Sequence, residues 1–334
     1  MKFGIVGCGV ISAYYANAIR EIEGSEIAGV FDANPKRGEK FAQENGAVFY
    51  PEYRLLLESQ VDAVCICTPS GLHAQLAIEA SNAGKHVVVE KPMGITEKQL
   101  DEIVAACKRN GTKLCAVSQI YFSDALQKTK ACVEEGRLGK LLLGDITMKY
   151  FRSDEYYQEG GWRGTMAMDG GGALMNQGIH GVALLLYLMG QPKSVSAYAR
   201  TLVHPIEVED TAVACVEFQN GALGTITATT SITPGSPRVL NIHGTKGWIQ
   251  LTDGNITRWN VEGEEFFVAA HDNAGTSENP TNFSHELHRR QLVDFIEAVQ
   301  TGRNPALDEN EGRKPVDLIL AIYRSSQTGK PVIF

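Results

Sequence analysis

Lys2-Phe3-Gly4-Ile5-Val6-Gly7-Cys8-Gly9-Val10-Ile11-Ser12-Ala13-Tyr14-Tyr15-Ala16-Asn17-Ala18-Ile19 decides the fold. The apolar opening reads as a strand, Gly7-Cys8-Gly9 as a turn, and the remainder as a helix by its apolar spacing. Gly7 permits the tight bend, and Gly9 carries no Cβ that would keep the backbone from a pyrophosphate. The free N–H groups that open the helix favour an anion. Gly7, Cys8, Gly9, Val10 and Ile11 are therefore expected to cradle a nucleotide. Ser12 stands where the fingerprint has its third glycine, and a pattern so weakened also fits a plain structural turn. Asp32 supplies the missing context, because it ends a second apolar run, Ile27 to Phe31, twenty positions after Ser12. A carboxylate there accepts hydrogen bonds from the adenine ribose and repels a 2′-phosphate, which favours NAD. Lys36 and Arg37 leave NADP open, since either cation can neutralise that phosphate.

The chain has 334 residues, enough for two domains with their own cores. Hydrophobic content of 43% and charged content of 21% describe an ordinary globular protein. With 31 basic and 39 acidic residues the net charge is −8, so nucleic acid is not an expected partner. No apolar run approaches the roughly twenty residues that span a bilayer, and the chain begins with a strand rather than a signal peptide. No membrane partner and a cytoplasmic location are expected. Seven cysteines, mostly in apolar stretches, read as buried thiols in a reducing compartment. Cys65 and Cys67 have no second pair elsewhere, so no metal site is expected.

Strand and helix patterns alternate outward from the opening stretch to about Ser118, which predicts a doubly wound parallel sheet of the Rossmann kind over residues 1–118. Such sheets bind ligands at the carboxyl ends of their strands, and two strand ends stand out. Thr68-Pro69-Ser70-Gly71-Leu72-His73 follows the strand Ala63 to Cys67, and His73 reads equally as a cofactor contact or as a surface residue of a capped helix. Glu90-Lys91-Pro92 closes the strand His86 to Glu90. Pro92 forces Lys91 out of helical geometry, so its ammonium projects into the crevice, where it can act as acid or base. A strand-end salt bridge is the plainer alternative.

From these motifs the chain resembles the family of glucose–fructose oxidoreductase and inositol dehydrogenase, usually called Gfo/Idh/MocA. The resemblance rests on Gly7 to Ser12, Thr68-Pro69, Glu90-Lys91-Pro92, Trp162-Arg163, Gly170-Gly171-Gly172 leading to His180, and the closing segments around Asp294-Phe295 and Ala321-Ile322-Tyr323. It implies an α/β fold: the Rossmann domain and, over residues 119–334, an α+β domain for substrate binding and oligomerisation. That second domain has a large, mainly antiparallel, open-faced sheet, with C-terminal helices packing back on the first. It also implies an NAD(P)-dependent oxidoreductase that moves hydride between nicotinamide and a secondary alcohol or ketone of a sugar, cyclitol or sugar derivative. Cofactor contacts are implied for Thr68, Pro69, His73, Glu90, Lys91, Gln119, Trp162 and Arg163. A homodimer or homotetramer formed through the sheet is implied as well.

Asp169 is expected to cap a helix from about Gly170 to Met189, on which Ala173, Asn176, His180, Ala183 and Tyr187 share a face. By itself His180 fits a core histidine with satisfied nitrogens. The resemblance makes it the residue that points at the substrate and works with Lys91. Gly178 and Gly181 add weight to this, because glycine costs about 1 kcal/mol in a helix interior and suggests close approach. Many relatives carry aspartate where this chain has Asn176, and an amide can orient a substrate but cannot take a proton. The catalytic set expected is thus Lys91, His180 and Asn176.

Short strands follow from Ser194 to Val261, with a further one at Glu265 to Ala269, and Asn220-Gly221 marks a hairpin. His204 and Glu207-Val208-Glu209-Asp210 read as a solvated turn that can rim a pocket. Helices are expected over His285 to Thr301 and Glu311 to Thr328. The Asn-Gln-Gly-Ile-His stretch and the Ile206 to Asp210 loop resemble the branch that oxidises nucleotide-linked uronic sugars at the 3-position. Arg152, Arg163 or the cluster near Arg289 would then meet a diphosphate. Two competing readings are a cofactor-sensing regulator without catalysis, which has no need of Lys91 with His180, and an NAD-dependent glycosidase.

Overall fold

The computed structural model describes residues 1–264 and 284–334, so the strand expected at Glu265 to Ala269 lies outside the described residues. The chain divides into two compact units: Met1–Gln119 with Ser284–Arg313, and Ile120–Phe283 with Lys314–Phe334.

The first unit alternates β1 (Lys2–Val6), α1 (Ser12–Arg20), β2 (Glu26–Phe31), α2 (Pro35–Asn45), β3 (Val48–Phe49), α3 (Tyr53–Glu58), β4 (Ala63–Ile66), α4 (Ser70–Asn82), β5 (His86–Val89), α5 (Glu97–Asn110) and β6 (Leu114–Ala116). The strands form one sheet in the order β3-β2-β1-β4-β5-β6, every pair parallel. Such a sheet buries both faces, which is why its strands read as apolar runs. Local chemistry sets the helix ends. Asn34 accepts from the Arg37 N–H ahead of Pro35, and Gly46 ends α2 in the left-handed conformation. One face of the sheet is covered by α1 and by a helix distant in sequence, Glu286–Thr301, whose Leu292 and Phe295 pack with Phe3, Ile5, Val30, Cys65, Tyr15 and Ile19.

The second unit contains α6 (Asp124–Glu134), β7 (Leu141–Lys149), α7 (Asp154–Gln158), a π-helical turn (Ala173–Gly178) and α8 (Ile179–Met189). Then come β8 (Pro192–Arg200), β9 (Thr211–Phe218), β10 (Leu223–Thr229), β11 (Val239–Gly244), β12 (Gly247–Thr252) and β13 (Asn255–Val261). The helix at Glu286–Thr301 is α9, and α10 (Glu309–Thr328) leads to a last strand, β14 (Val332–Ile333). Eight strands form one sheet in the order β13-β12-β11-β7-β10-β9-β8-β14. All its pairs are antiparallel except β7 with β10. Only two residues long, β14 carries no period of its own, and pairing with β8 makes it a strand.

One face of this sheet packs against α6, α8 and the π turn. Strand β9 alternates buried and exposed positions accordingly. On its other face Tyr198 is 71% exposed, Leu223 58% and Val213 47%. Among the described residues no helix is long and apolar enough to cross a membrane. Six cysteines are buried and Cys215 is exposed. Burial pushes the Cys8 and Cys115 thiols up to about 12.

Candidate active site

In the first unit the turn after β1 is built as its residues require. Gly7 has φ +90°, and a Cβ on it would meet the Cys67 carbonyl oxygen at 2.9 Å, whereas a Cβ on Gly9 would meet nothing within 4 Å. Ser12 is fully buried and its hydroxyl donates to the Gly9 carbonyl at 2.6 Å, so the residue in the third glycine's place braces the turn. The buried Asp32 carboxylate accepts from Cys8 N and Asn34 N, both at 2.7 Å. It also takes a two-pronged bond from Arg37 Nε and Nη2, each at 2.8 Å. Burial opposes the Asp32 charge, but the bonds from Arg37, Cys8 and Asn34 prevail and hold the carboxyl below its usual range. Arg37, expected as a free cation for a 2′-phosphate, is thus engaged with Asp32.

At the next strand ends the structure redraws His73. It is not on the surface: the ring is buried, with Nδ1 2.7 Å from the Pro92 carbonyl and Nε2 2.7 Å from the Thr68 carbonyl. His73 therefore lies between the loop after β4 and the loop after β5 with both ring nitrogens turned to main chain, and the neutral ring, with one N–H, donates to one of the two carbonyls. Burial holds its pKa below the ordinary value against the pull of those carbonyls. Glu90 is buried too, and accepts from the Tyr15 hydroxyl at 2.8 Å and from Lys91 N at 3.2 Å. Burial pushes its carboxyl up, while the Lys91 charge and the Tyr15 bond pull it down. Lys91 is half-buried.

The Thr68 hydroxyl and Gln119 Oε1 are buried atoms with no protein hydrogen-bond partner among the described residues. With the open approach over Gly9 and the helix N-terminus behind it, they are what a dinucleotide would require of this sheet edge. Near the end of the unit, Arg289 and Arg290 both bond Glu286 on their own helix, which spends part of the charge that a diphosphate would need.

In the second unit the helix expected from Gly170 begins later. Regular α-helix starts at Ile179, after the π turn, so the shared face holds for His180, Ala183 and Tyr187 but does not extend back to Ala173 by three- and four-residue steps. Asp169 is no cap. It accepts from Gly164 N at 2.9 Å and from Asn176 Nδ2 at 2.6 Å. The cap is Glu209, whose carboxylate takes Gly172 N at 3.0 Å, Leu174 N at 2.8 Å and the Tyr323 hydroxyl at 2.8 Å. The segment read as a solvated turn is buried except at Glu207, which stays exposed: Asp210 accepts from Leu202, Val203 and His204 N–H groups, and His204 Nδ1 lies 2.9 Å from Asp154.

Close approach at Gly178 and Gly181 also has a structural cause. A Cβ on Gly181 would lie 2.3 Å from the Met148 sulfur and 2.7 Å from Ile146 Cδ1, so glycine lets the helix settle on β7.

Around Asn176 the side chains connect. Gln177 Nε2 donates to Asn176 Oδ1 at 3.2 Å and to the Tyr156 hydroxyl at 2.7 Å. Arg152 Nε donates to Gln177 Oε1 at 3.0 Å. Arg163 stacks over the Tyr156 ring at 4.5 Å and over Trp162 at 5.4 Å, and bonds Glu159 at 3.0 Å. His180 is half-buried one turn beyond Asn176. A cleft of about 440 Å³ is lined by Asp154, Tyr157, Arg163, Gly164, Ile206 and Glu207, and does not reach Asn176 or His180. Asp169, Gln177, Glu209 and Tyr323 were each singled out in the sequence, but their contacts here were not expected.

Residues 1–118 match the oxidoreductase family with an NAD-binding Rossmann fold, and residues 126–250 match the GFO/IDH/MocA C-terminal domain. The WlbA dehydrogenase from Bordetella pertussis, solved with NADH and UDP-GlcNAcA, is 33% identical with a TM-score of 0.89, covering 100% of this chain and 98% of its own. WlbA from Chromobacterium violaceum, solved with the same two molecules, is 32% identical with a TM-score of 0.90, covering 100% and 96%. The scyllo-inositol 2-dehydrogenase (NAD(+)) of Bacillus subtilis is 26% identical over 99% of this chain and 96% of its own length. On these matches and on the sheet edge built around Gly9 and Asp32, the chain belongs to the GFO/IDH/MocA oxidoreductase family and is an NAD-dependent dehydrogenase.

Proposed function

We propose that the substrate is a nucleotide-linked uronic sugar oxidised at a ring hydroxyl. The observation that carries this reading is the 33% identity, running the whole length of the chain, to a dehydrogenase solved with UDP-GlcNAcA. Support comes from the buried Arg152 and from Arg163 stacked among aromatic rings, cations suited to an acidic sugar. Gly7 to Ile11, Asp32, Thr68, Pro69, Glu90 and Gln119 hold the cofactor, with Arg37 orienting Asp32 and His73 bracing the loops. Trp162 and Arg163 serve the same purpose. When bound, NAD supplies the hydride acceptor. Lys91 or His180 takes the hydroxyl proton, and Asn176 orients the substrate. The exposed apolar face that carries Tyr198, Val213 and Leu223 is covered by a second copy, giving a dimer or tetramer.

The test is a panel of nucleotide uronates, free sugars, inositols and aryl glycosides with NAD, read by NADH absorbance. Turnover confined to nucleotide uronates is expected. Turnover of inositols alone, or release of an aglycone, removes this substrate assignment. Sedimentation should give a dimer or larger, and a monomer would remove the sheet interface.

A further inference from the structure

We propose that Arg152, Gln177, Asn176 and Asp169 form a chain of fixed hydrogen-bond polarity that holds the Asn176 carbonyl oxygen toward substrate as an acceptor, with Gln177 and Asp169 as positioning residues. The proposal rests on the reading that Asn176 meets the substrate. A guanidinium only donates, and an ionised carboxylate only accepts. Arg152 Nε lies 3.0 Å from one end of the Gln177 amide, so that end must be the oxygen. The Gln177 nitrogen is then directed to the Tyr156 hydroxyl and to the Asn176 oxygen. From the other side Asp169 lies 2.6 Å from the Asn176 amide, so that contact must be its nitrogen.

Both charged ends demand the same sense. Neither amide can flip without setting two donors or two acceptors against each other in a buried setting, where Arg152 is 6% exposed, Asp169 1% and Asn176 9%. Gly164 N holds the second Asp169 oxygen at 2.9 Å, which fixes the carboxylate itself. The consequence is selectivity by polarity. Asn176 welcomes a substrate hydroxyl other than the one oxidised, one that is free to donate, and repels at that position a carbonyl or carboxylate that can only accept.

Four variants test this with UDP-GlcNAcA and NAD, or with whichever panel sugar is turned over. Asp169→Asn keeps the shape but removes the obligate acceptor, and should lower kcat/KM for the sugar at least about tenfold, the loss of one charged hydrogen bond, with KM for NAD unchanged. Asn176→Asp sets two carboxylates in contact, so one must keep a proton, and the pH profile should gain an ionisation absent from the parent. Exchanging both, D169N with N176D, restores a single amide-to-carboxylate bond with an acceptor oxygen still at position 176. It should remove that ionisation and recover at least about tenfold over N176D alone. An exchanged enzyme no better than N176D, or a D169N enzyme at parental kcat/KM, overturns the chain. Should D169N fail to fold, the comparison of N176D with the exchange decides. Asn176→Ala separates the layers: if it too is fully active, the substrate role of Asn176 falls and the proposal with it, whereas an impaired N176A beside an unimpaired D169N removes the chain alone.

Discussion

His288 should give the first unit an acid sensitivity that one substitution abolishes. The ring is 2% exposed and lies against Tyr15 in an edge-on contact at 5.5 Å and against Tyr14 at 6.0 Å. Burial, with a smaller contribution from the neighbouring His285, lowers its pKa from 6.5 to about 4. Between those values the unfolded imidazole takes up a proton that the folded one refuses, so the unfolded state binds more protons and stability falls as pH falls through the window. Below about pH 4 both forms are charged and the loss levels off. A difference of that size is roughly 3 kcal/mol at about 1.4 kcal/mol per pH unit, a large part of a typical domain's stability. The assay is urea unfolding of the parent and of His288→Leu at several pH values from neutral down to about pH 4. Taking the difference between the two proteins cancels the titrating groups that do not interact with His288. The parent should lose roughly 3 kcal/mol more than the variant across the window. Parallel stability curves would show that the folded imidazole protonates as easily as the unfolded one, and the reasoning from burial would fail.

Lys91→Ala and His180→Ala should each lower kcat at least about a hundredfold while KM for NAD changes far less, and near-normal turnover in either removes that residue from proton transfer. Asp32→Ser should raise KM for NAD at least about tenfold and shift the NAD-to-NADP ratio of kcat/KM toward NADP, because Arg37 loses its carboxylate partner and the 2′-phosphate loses a repulsive neighbour. An unchanged ratio in steady-state kinetics would contradict this. Glu209→Ala leaves two backbone N–H groups and the Tyr323 hydroxyl without their buried acceptor, and should cost about 3 to 5 kcal/mol in urea unfolding. A loss below about 1 kcal/mol would mean that water replaces the carboxylate.

The sequence by itself determined the parallel sheet, the glycine turn after β1 and the family. Each of these is written in contiguous residues: apolar runs of strand length, a turn that only glycine permits at Gly7, and short motifs at strand ends. Partnerships between distant segments were decided by the tertiary structure. Asp169 had the residue type and position of a cap, yet the cap came from Glu209, and Asp169 turned instead to Asn176. His73 read equally as a cofactor contact or a surface residue, and the fold buried it between two loop carbonyls. Glu209 and Asp210 looked solvated, as Glu207 indeed is, because charge is read from composition, whereas burial depends on which N–H groups a fold leaves without partners. Local pattern reports what a residue can do over the next turn of chain. Which hydrogen bond it makes is settled by groups brought beside it from far along the chain, and that choice exists only once the backbone has closed on itself.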